Sequence, residues 1–177
     1  WQQGETDSAS LPGFVRDAIS QTASTSLPFA LAAFDDPSSL ALVDERCEAF
    51  LKSAVANRAS RLQGRAFWTA ATRAFLPELA EPSELCHLAP VFGVLTQRLG
   101  LATESSSRLF LFLHLRGLVS SAVRLGIVGP LEAQSMQHQL GPLAESVATQ
   151  VANFTLDDLA QTAPLLDLWQ GAQDRLY

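Results

Sequence analysis

A tight helix–turn–helix corner between residues 120 and 140 constrains the fold of this chain more than any other segment. A helix carrying Arg124 runs into Gly126, the turn Gly129-Pro130 follows, and a second helix opens directly after it. Glycine is favoured just past the end of a helix, and proline is favoured in the first helical turn because its missing N–H has no partner there. The segment therefore predicts two consecutive helices joined by a short corner.

Apolar residues recur at helical spacing along the rest of the chain, and no run of β-branched residues alternates with polar ones. We therefore predict an all-α fold without sheet: a single compact multi-helix domain over residues 1–177 with roughly eight to ten helices. The main predicted helices cover residues 40–60, 90–99, 108–125, 130–139 and 142–152, with a last one opening at Pro164. Gly64 either breaks or only weakens the continuation of the first of these.

The composition narrows the function classes. Apolar residues make up 47% of the chain and charged residues only 17%, which suggests that a partner covers some apolar surface. The net charge of −6 and the lack of a basic stripe argue against nucleic-acid binding. No apolar run approaches the ~20 residues that a membrane helix needs.

The candidate metal ligands do not form a recognisable set. Cys47 and Cys86 are far apart in sequence, and we expect both to be free thiols in a reducing compartment. No two histidines stand at helical spacing, and a transition-metal site needs three or four converging ligands. We therefore expect no metal site within one chain. A site shared across a symmetric dimer, with Cys86 or His87 from each copy, remains an alternative, whereas His114 lies in an apolar helix and is expected in the core.

Catalytic patterns are equally absent from the sequence. There is no G-x-S-x-G elbow and no phosphate-binding loop. The acidic pairs Asp35-Asp36 and Asp157-Asp158 fall where helices are expected to begin, and carboxylates are favoured there without any catalytic role. The sequence predicts a protein that is not an enzyme.

Two interpretations are open for Arg124, and two for a set of three arginines on another predicted helix. Arg124 ends an apolar helix, where the helix dipole favours a cation, so it either caps that helix or presents the corner to a partner. Arg58, Arg61 and Arg65 stand at roughly helical spacing. A solvated face is their simpler interpretation, and a docking strip for an acidic partner is the alternative.

The last predicted helix carries an apolar face that includes Trp169. This face packs either on its own domain or on a partner, since Trp and Tyr often anchor interfaces.

Four segments, in this order along the chain, resemble one family. They are NRASRLQGRA (57–66), HLAPVFGVL (87–95), AVRLGIVGPLEAQ (122–134) and PLLDLWQG (164–171). Together they resemble the urease accessory protein UreF family. By this resemblance, the family's Pro-Thr-Gly-Gly-Phe motif should precede Trp1 and its Ser-Arg-Leu-Phe tail should follow Tyr177, so we expect the chain to be a piece of a longer protein. Gln173 stands where the family motif has His, and Leu88 replaces the second His of its HHAPVFG pattern.

The resemblance implies a cytoplasmic, symmetric dimer that binds UreD/UreH, recruits the GTPase UreG and docks on apo-urease. It would assist nickel insertion there and hold no cofactor of its own. The alternatives are a helical enzyme whose site forms between chains and an unrelated all-helical adaptor. The expected partner-binding residues are Arg124, Glu132, Gln134, His138, Asp167, Trp169, Gln170 and Tyr177, and the candidates for a dimer or metal-relay role are Cys86 and His87.

Overall fold

The computed structural model describes residues 7–79, 82 and 84–160, and every regular element in that part of the chain is helical. The α-helices are α1 (Leu11–Thr25), α2 (Leu27–Asp35), α3 (Leu40–Phe50), α4 (Ala54–Ala74), α5 (Leu88–Arg98), α6 (Thr103–Arg124) and α7 (Pro130–Gln150), and a short 3-10 turn, Pro37–Ser39, links α2 to α3. The all-α prediction is confirmed, and no strand occurs among the described residues. The expected number of eight to ten helices was too high there. The helix predicted to open at Pro164 lies outside the described residues.

The predicted helix over residues 40–60 is in fact two helices. The chain leaves helical geometry at Leu51, and α4 starts after Ser53, whose Oγ accepts a hydrogen bond from the N–H of Ala56 at 3.3 Å. A serine at this position satisfies one of the N–H groups that a helix start leaves without a partner. Gly64 does not break α4, which continues through it to Ala74.

Conversely, the two helices predicted over 130–139 and 142–152 form the single helix α7. Pro142 lies in its interior, where a proline costs about 3 kcal/mol relative to alanine. Leu140 and Ala144, on either side of it, are buried together with Val147. Packing of this face against α1 and α6 offsets the cost and keeps the helix continuous.

The corner between α6 and α7 forms where the sequence predicts it. Gly126 adopts φ +70, the N–H of Gly126 donates to the carbonyl of Val123, and the N–H of Ile127 donates to the carbonyl of Ala122. This is the Schellman arrangement, in which a left-handed glycine ends the helix. Gly100 ends α5 in the same way, with φ +76. Helix α6 begins at Thr103, five residues before the predicted start at 108, and Ser106 is buried with its Oγ 2.6 Å from Thr96 Oγ1.

One apolar core joins the described helices. The helix pairs α2–α5, α6–α7 and α4–α5 make the most extensive contacts, and α1 packs on both α6 and α7. Helix α2 is buried along most of its length, and its close contact with α5 passes over Gly93. None of the described helices combines the length and apolar character needed to cross a membrane.

Gly64 sets how closely α4 approaches the segment before α5. A Cβ added to Gly64 would lie 2.0 Å from the carbonyl oxygen of Cys86 and 2.7 Å from the carbonyl carbon of His87. These are backbone atoms and cannot move aside as a flexible side chain can. The glycine is therefore required by packing at this point of α4.

We predict that Gly64→Ala lowers the free energy of unfolding by about 1–3 kcal/mol, because the added methyl overpacks a backbone contact. Gly117→Ala is the matched control, since Gly117 also lies inside a helix but has nothing within 4 Å of an added Cβ. That control should be neutral or stabilise by up to about 1 kcal/mol. Urea unfolding of both variants measures the difference, and equal stabilities would contradict the assigned role of Gly64.

Candidate functional site

A buried carboxylate holds the Cys86–His87 segment in place. Asp44, on α3, is fully buried, and its two oxygens accept hydrogen bonds from the backbone N–H groups of Cys86 at 2.6 Å and His87 at 2.8 Å. Cys86 has φ +60, an uncommon conformation for a residue with a side chain. His87 is the N-cap of α5, so the negative charge also lies at the positive end of that helix dipole. We call Asp44 with these two amide groups the Asp44 clamp.

The His87 side chain adds a second set of contacts to the same segment. Its ring is fully buried, with Nε2 2.7 Å from Glu48 Oε2 and Nδ1 3.2 Å from Ser60 Oγ. The hydrogen bond with Asn57 is the largest cause that lowers the pKa of Glu48, and the His87 ring and Arg61 lower it further. Since an ionised carboxylate only accepts hydrogen bonds, Nε2 carries the ring hydrogen and donates a hydrogen bond to Glu48 Oε2. Both ring nitrogens are thus occupied inside the chain.

The two thiols next to the clamp are held in their protonated form. Burial, with a smaller contribution from the Asp44 charge, raises the pKa of Cys47 to about 12 and that of Cys86 to about 11. Both cysteines are free and buried, as predicted. Only the thiolate is a good metal ligand, and the described residues contain no group of three or more His, Cys, Asp or Glu side chains that could hold a metal ion. The dimer or metal-relay role of Cys86 and His87 stays a prediction.

His114 packs between α6 and α1. Its Nε2 lies 2.9 Å from the hydroxyl oxygen of Thr22, so its partner is a side-chain hydroxyl. Burial lowers the pKa of His114 to about 4, and the ring is therefore neutral at pH 7.

Arg124 and Glu132 are exposed at the α6–α7 corner. An Nη2 atom of Arg124 donates to the Ser121 hydroxyl at 2.8 Å, one turn back on the same helix. Two leucines flank the corner: Leu125 is 54% exposed and Leu131 is 87% exposed. The corner therefore presents a cation, a carboxylate and two apolar side chains to the outside.

Gln134 and His138, two further predicted partner-binding residues, lie together in an open groove between α6 and α7. The groove has a volume of about 660 Å³. Its lining also includes Arg108, Leu109, Phe112 and Glu145. The sequence does not single out these residues, since a position on a helix does not reveal which helix will lie beside it. The predicted partner-binding residues Asp167, Trp169, Gln170 and Tyr177 lie outside the described residues.

In its described residues the chain is an all-helical protein, and the polar and apolar side chains that it exposes lie along helix faces. Residues 5–141 match the model of the UreF family. The chain is 34% identical over 171 residues to urease accessory protein F of Arabidopsis thaliana. The matched region covers 90% of this chain and 71% of that protein. It is 32% identical over 179 residues to urease accessory protein F of Oryza sativa subsp. japonica, covering 94% and 69%. Urease accessory protein UreF of Mesorhizobium japonicum is 34% identical over 121 residues, covering 68% and 54%.

The chain therefore belongs to the UreF family, as its four sequence motifs indicate. These relatives are named as accessory proteins and not as enzymes, in agreement with the non-enzymatic role that the sequence predicts.

We predict that Asp44→Ala lowers the free energy of unfolding by about 2–4 kcal/mol, since each buried donor left without a partner costs about 1–3 kcal/mol. Asp17→Ala on the exposed face of α1 is the control and should stay within about 0.5 kcal/mol of the parent. Hydrogen exchange should show faster exchange of the Cys86 and His87 amides in the Asp44 variant. Unchanged protection of both amides would refute the clamp.

We predict that His114 makes the protein less stable in acid. Its folded-state pKa of about 4 lies below its ordinary value of 6.5, so the unfolded chain binds the proton more readily. The stability contributed by the neutral ring is present above pH 6.5 and is lost as the pH falls towards 4. In thermal unfolding between these pH values, His114→Gln should show a flatter pH dependence than the parent, with His138→Gln, at an exposed position, as the matched control. Parallel curves for parent and His114→Gln would contradict the assignment.

Proposed function

We propose that this chain is a urease accessory scaffold that acts with UreD/UreH and the GTPase UreG in nickel insertion into apo-urease. Membership of the UreF family supports the urease accessory role, and the named partners and the nickel step are the finer part of the proposal. Nickel is here the cargo of the pathway and not a resident cofactor. A cytoplasmic location and a single UreF-like domain over residues 1–177 belong to the same proposal.

The observation that carries this proposal is the surface formed by α6 and α7. It combines Arg124, Glu132 and the groove residues Gln134 and His138 with side chains that are apolar and exposed. Those apolar residues are Leu109, Phe112, Leu125 and Leu131. Apolar side chains next to polar ones are typical of the surfaces that proteins use to bind one another. The same surface is where we place the contacts of the scaffold, including the predicted homodimer.

Arg124 distinguishes a surface role from a structural one. If it only caps α6, Arg124→Ala costs about 0.3–1 kcal/mol, and urease activation stays near normal. If it presents the corner to a partner, activation and partner binding fall while the melting temperature moves little. We expect the second result.

The experiment complements a deletion strain with the parent or the Arg124→Ala chain and measures nickel-dependent urease activity together with pull-down of UreD/UreH and UreG. Arg98→Ala is a close control, because Arg98 is exposed in the last turn of α5, a helix that also ends at a left-handed glycine. A deletion strain with normal urease activity, or a parent chain that captures none of these proteins, would overturn the proposed function.

A further inference from the structure

The outer face of α4 carries a strip of basic and apolar residues that the proposed function has not used. Positions 58, 62, 65, 69 and 73 follow one another at helical spacing on one side of the helix. All five side chains are exposed: Arg58, Leu62, Arg65, Thr69 and Arg73. We call these residues the α4 strip. The buried residues of α4 are Gly64, Trp68 and Ala71, which lie on the opposite side and attach the helix to the rest of the protein.

The charge of this helix is opposite to that of the chain. Helix α4 contains four arginines and no acidic residue, although acidic residues outnumber basic ones by six in the whole sequence. Helices that only face solvent commonly combine both signs, because oppositely charged neighbours one turn apart stabilise them. None of the strip arginines forms an ion pair within the described part of the chain. Three cations thus face outward over about 22 Å, at 1.5 Å per residue.

The strip also includes an exposed apolar side chain. Leu62 is 65% exposed and lies between Arg58 and Arg65 on the same side of the helix. Arg65 is held in position, since one of its Nη atoms donates to the backbone carbonyl of Glu84 at 2.7 Å. A cation that is already fixed loses less side-chain entropy on binding than a free one. The strip therefore offers a central apolar contact with partly fixed charges around it.

We infer that the α4 strip is a docking surface for a partner protein that presents carboxylates along a helix-length surface with an apolar recess for Leu62. This inference rests on the proposed scaffold role and adds to it a second surface, distinct from the one formed by α6 and α7. Charge complementarity determines the occupant. A second copy of this chain fits poorly, because a two-fold contact centred on the strip would set arginines against arginines. A nucleic acid fits poorly too, because the net charge of −6 repels a polyanion and the strip has an apolar centre.

The test reverses the charge at both ends of the strip with the double variant Arg58→Glu/Arg73→Glu. The control is Arg16→Glu/Arg98→Glu, which changes the net charge equally. It matches position as well, since Arg16 is exposed inside a helix and Arg98, like Arg73, lies in a last helical turn. Circular dichroism and thermal unfolding first establish that both variants fold. If the double reversal does not fold, Leu62→Ser replaces it, with Leu42→Ser on α3, where Leu42 is 61% exposed, as its control.

Binding is then measured by titrating each chain with purified UreD/UreH, UreG and apo-urease separately, at low and high salt. We expect the parent to bind at least one of them, with an affinity that falls as salt rises, and the strip variant to bind it about tenfold or more weakly than the control does. If the parent activates urease and binds these proteins but the strip variant binds as well as the control, the inference is wrong and the scaffold role stands. If the parent binds none of them, the proposed function itself fails.

Two further readouts test the excluded occupants. Light scattering of the parent and the strip variant should give the same oligomeric state, and a change would assign the strip to contacts between copies of this chain. A labelled 20-nucleotide RNA should not bind the parent at physiological salt. RNA binding that the strip variant loses would replace the acidic protein with a nucleic acid and overturn the inference.

Discussion

The buried charge of Asp44 organises the centre of this structure. Its carboxylate joins α3 to the two amide groups that precede α5, and it holds Cys86 in a left-handed conformation that would otherwise be unfavourable. A buried carboxylate without partners would cost several kcal/mol, but here two N–H donors and the positive end of the α5 dipole stabilise it. Ser60 adds a contact from α4, since its hydroxyl accepts from the N–H of Leu88. Three helices are therefore fixed relative to one another at one short segment.

This arrangement explains why two residues that resemble metal ligands in the sequence, Cys86 and His87, are both held by contacts within the chain. Cys86 and His87 resemble the beginning of a metal site, yet burial, aided by the same Asp44 charge that holds their backbone, raises the pKa of the Cys86 thiol and keeps it protonated. The two ring nitrogens of His87 are in hydrogen-bonding contact with Glu48 and Ser60. The exposed polar residues of the two proposed docking surfaces lie instead on α4 and along α6 and α7. Buried residues fix the positions of the helices, and exposed residues on the helix faces are left to contact other molecules.

Local signals in the sequence account for what could be predicted, and long-range packing accounts for what could not. Gly126 and the Gly129-Pro130 turn defined the corner because glycine and proline act on their own backbone. The break before Ser53 was missed, since only a capping serine marks it and serine is common elsewhere. Gly141 and Pro142 predict a break between two helices, because the support that α7 receives from α1 and α6 cannot be inferred from these residues themselves. Asp44 was overlooked as a site residue because its partners lie more than forty positions away.

Helix α4 links the buried and the exposed parts of the molecule. On its inner side Gly64 permits close contact with the Cys86–His87 backbone, and on its outer side the α4 strip faces solvent. Arg61, beside the strip, donates to the carbonyl of Leu85, and Arg65, within the strip, donates to the carbonyl of Glu84. The segment that leads into the Asp44 clamp therefore also orients these two arginines. Because a rigid helix cannot turn one face without moving the other, the contact at Gly64 fixes the direction in which the strip points. The buried clamp thereby determines the geometry of a surface that it does not touch.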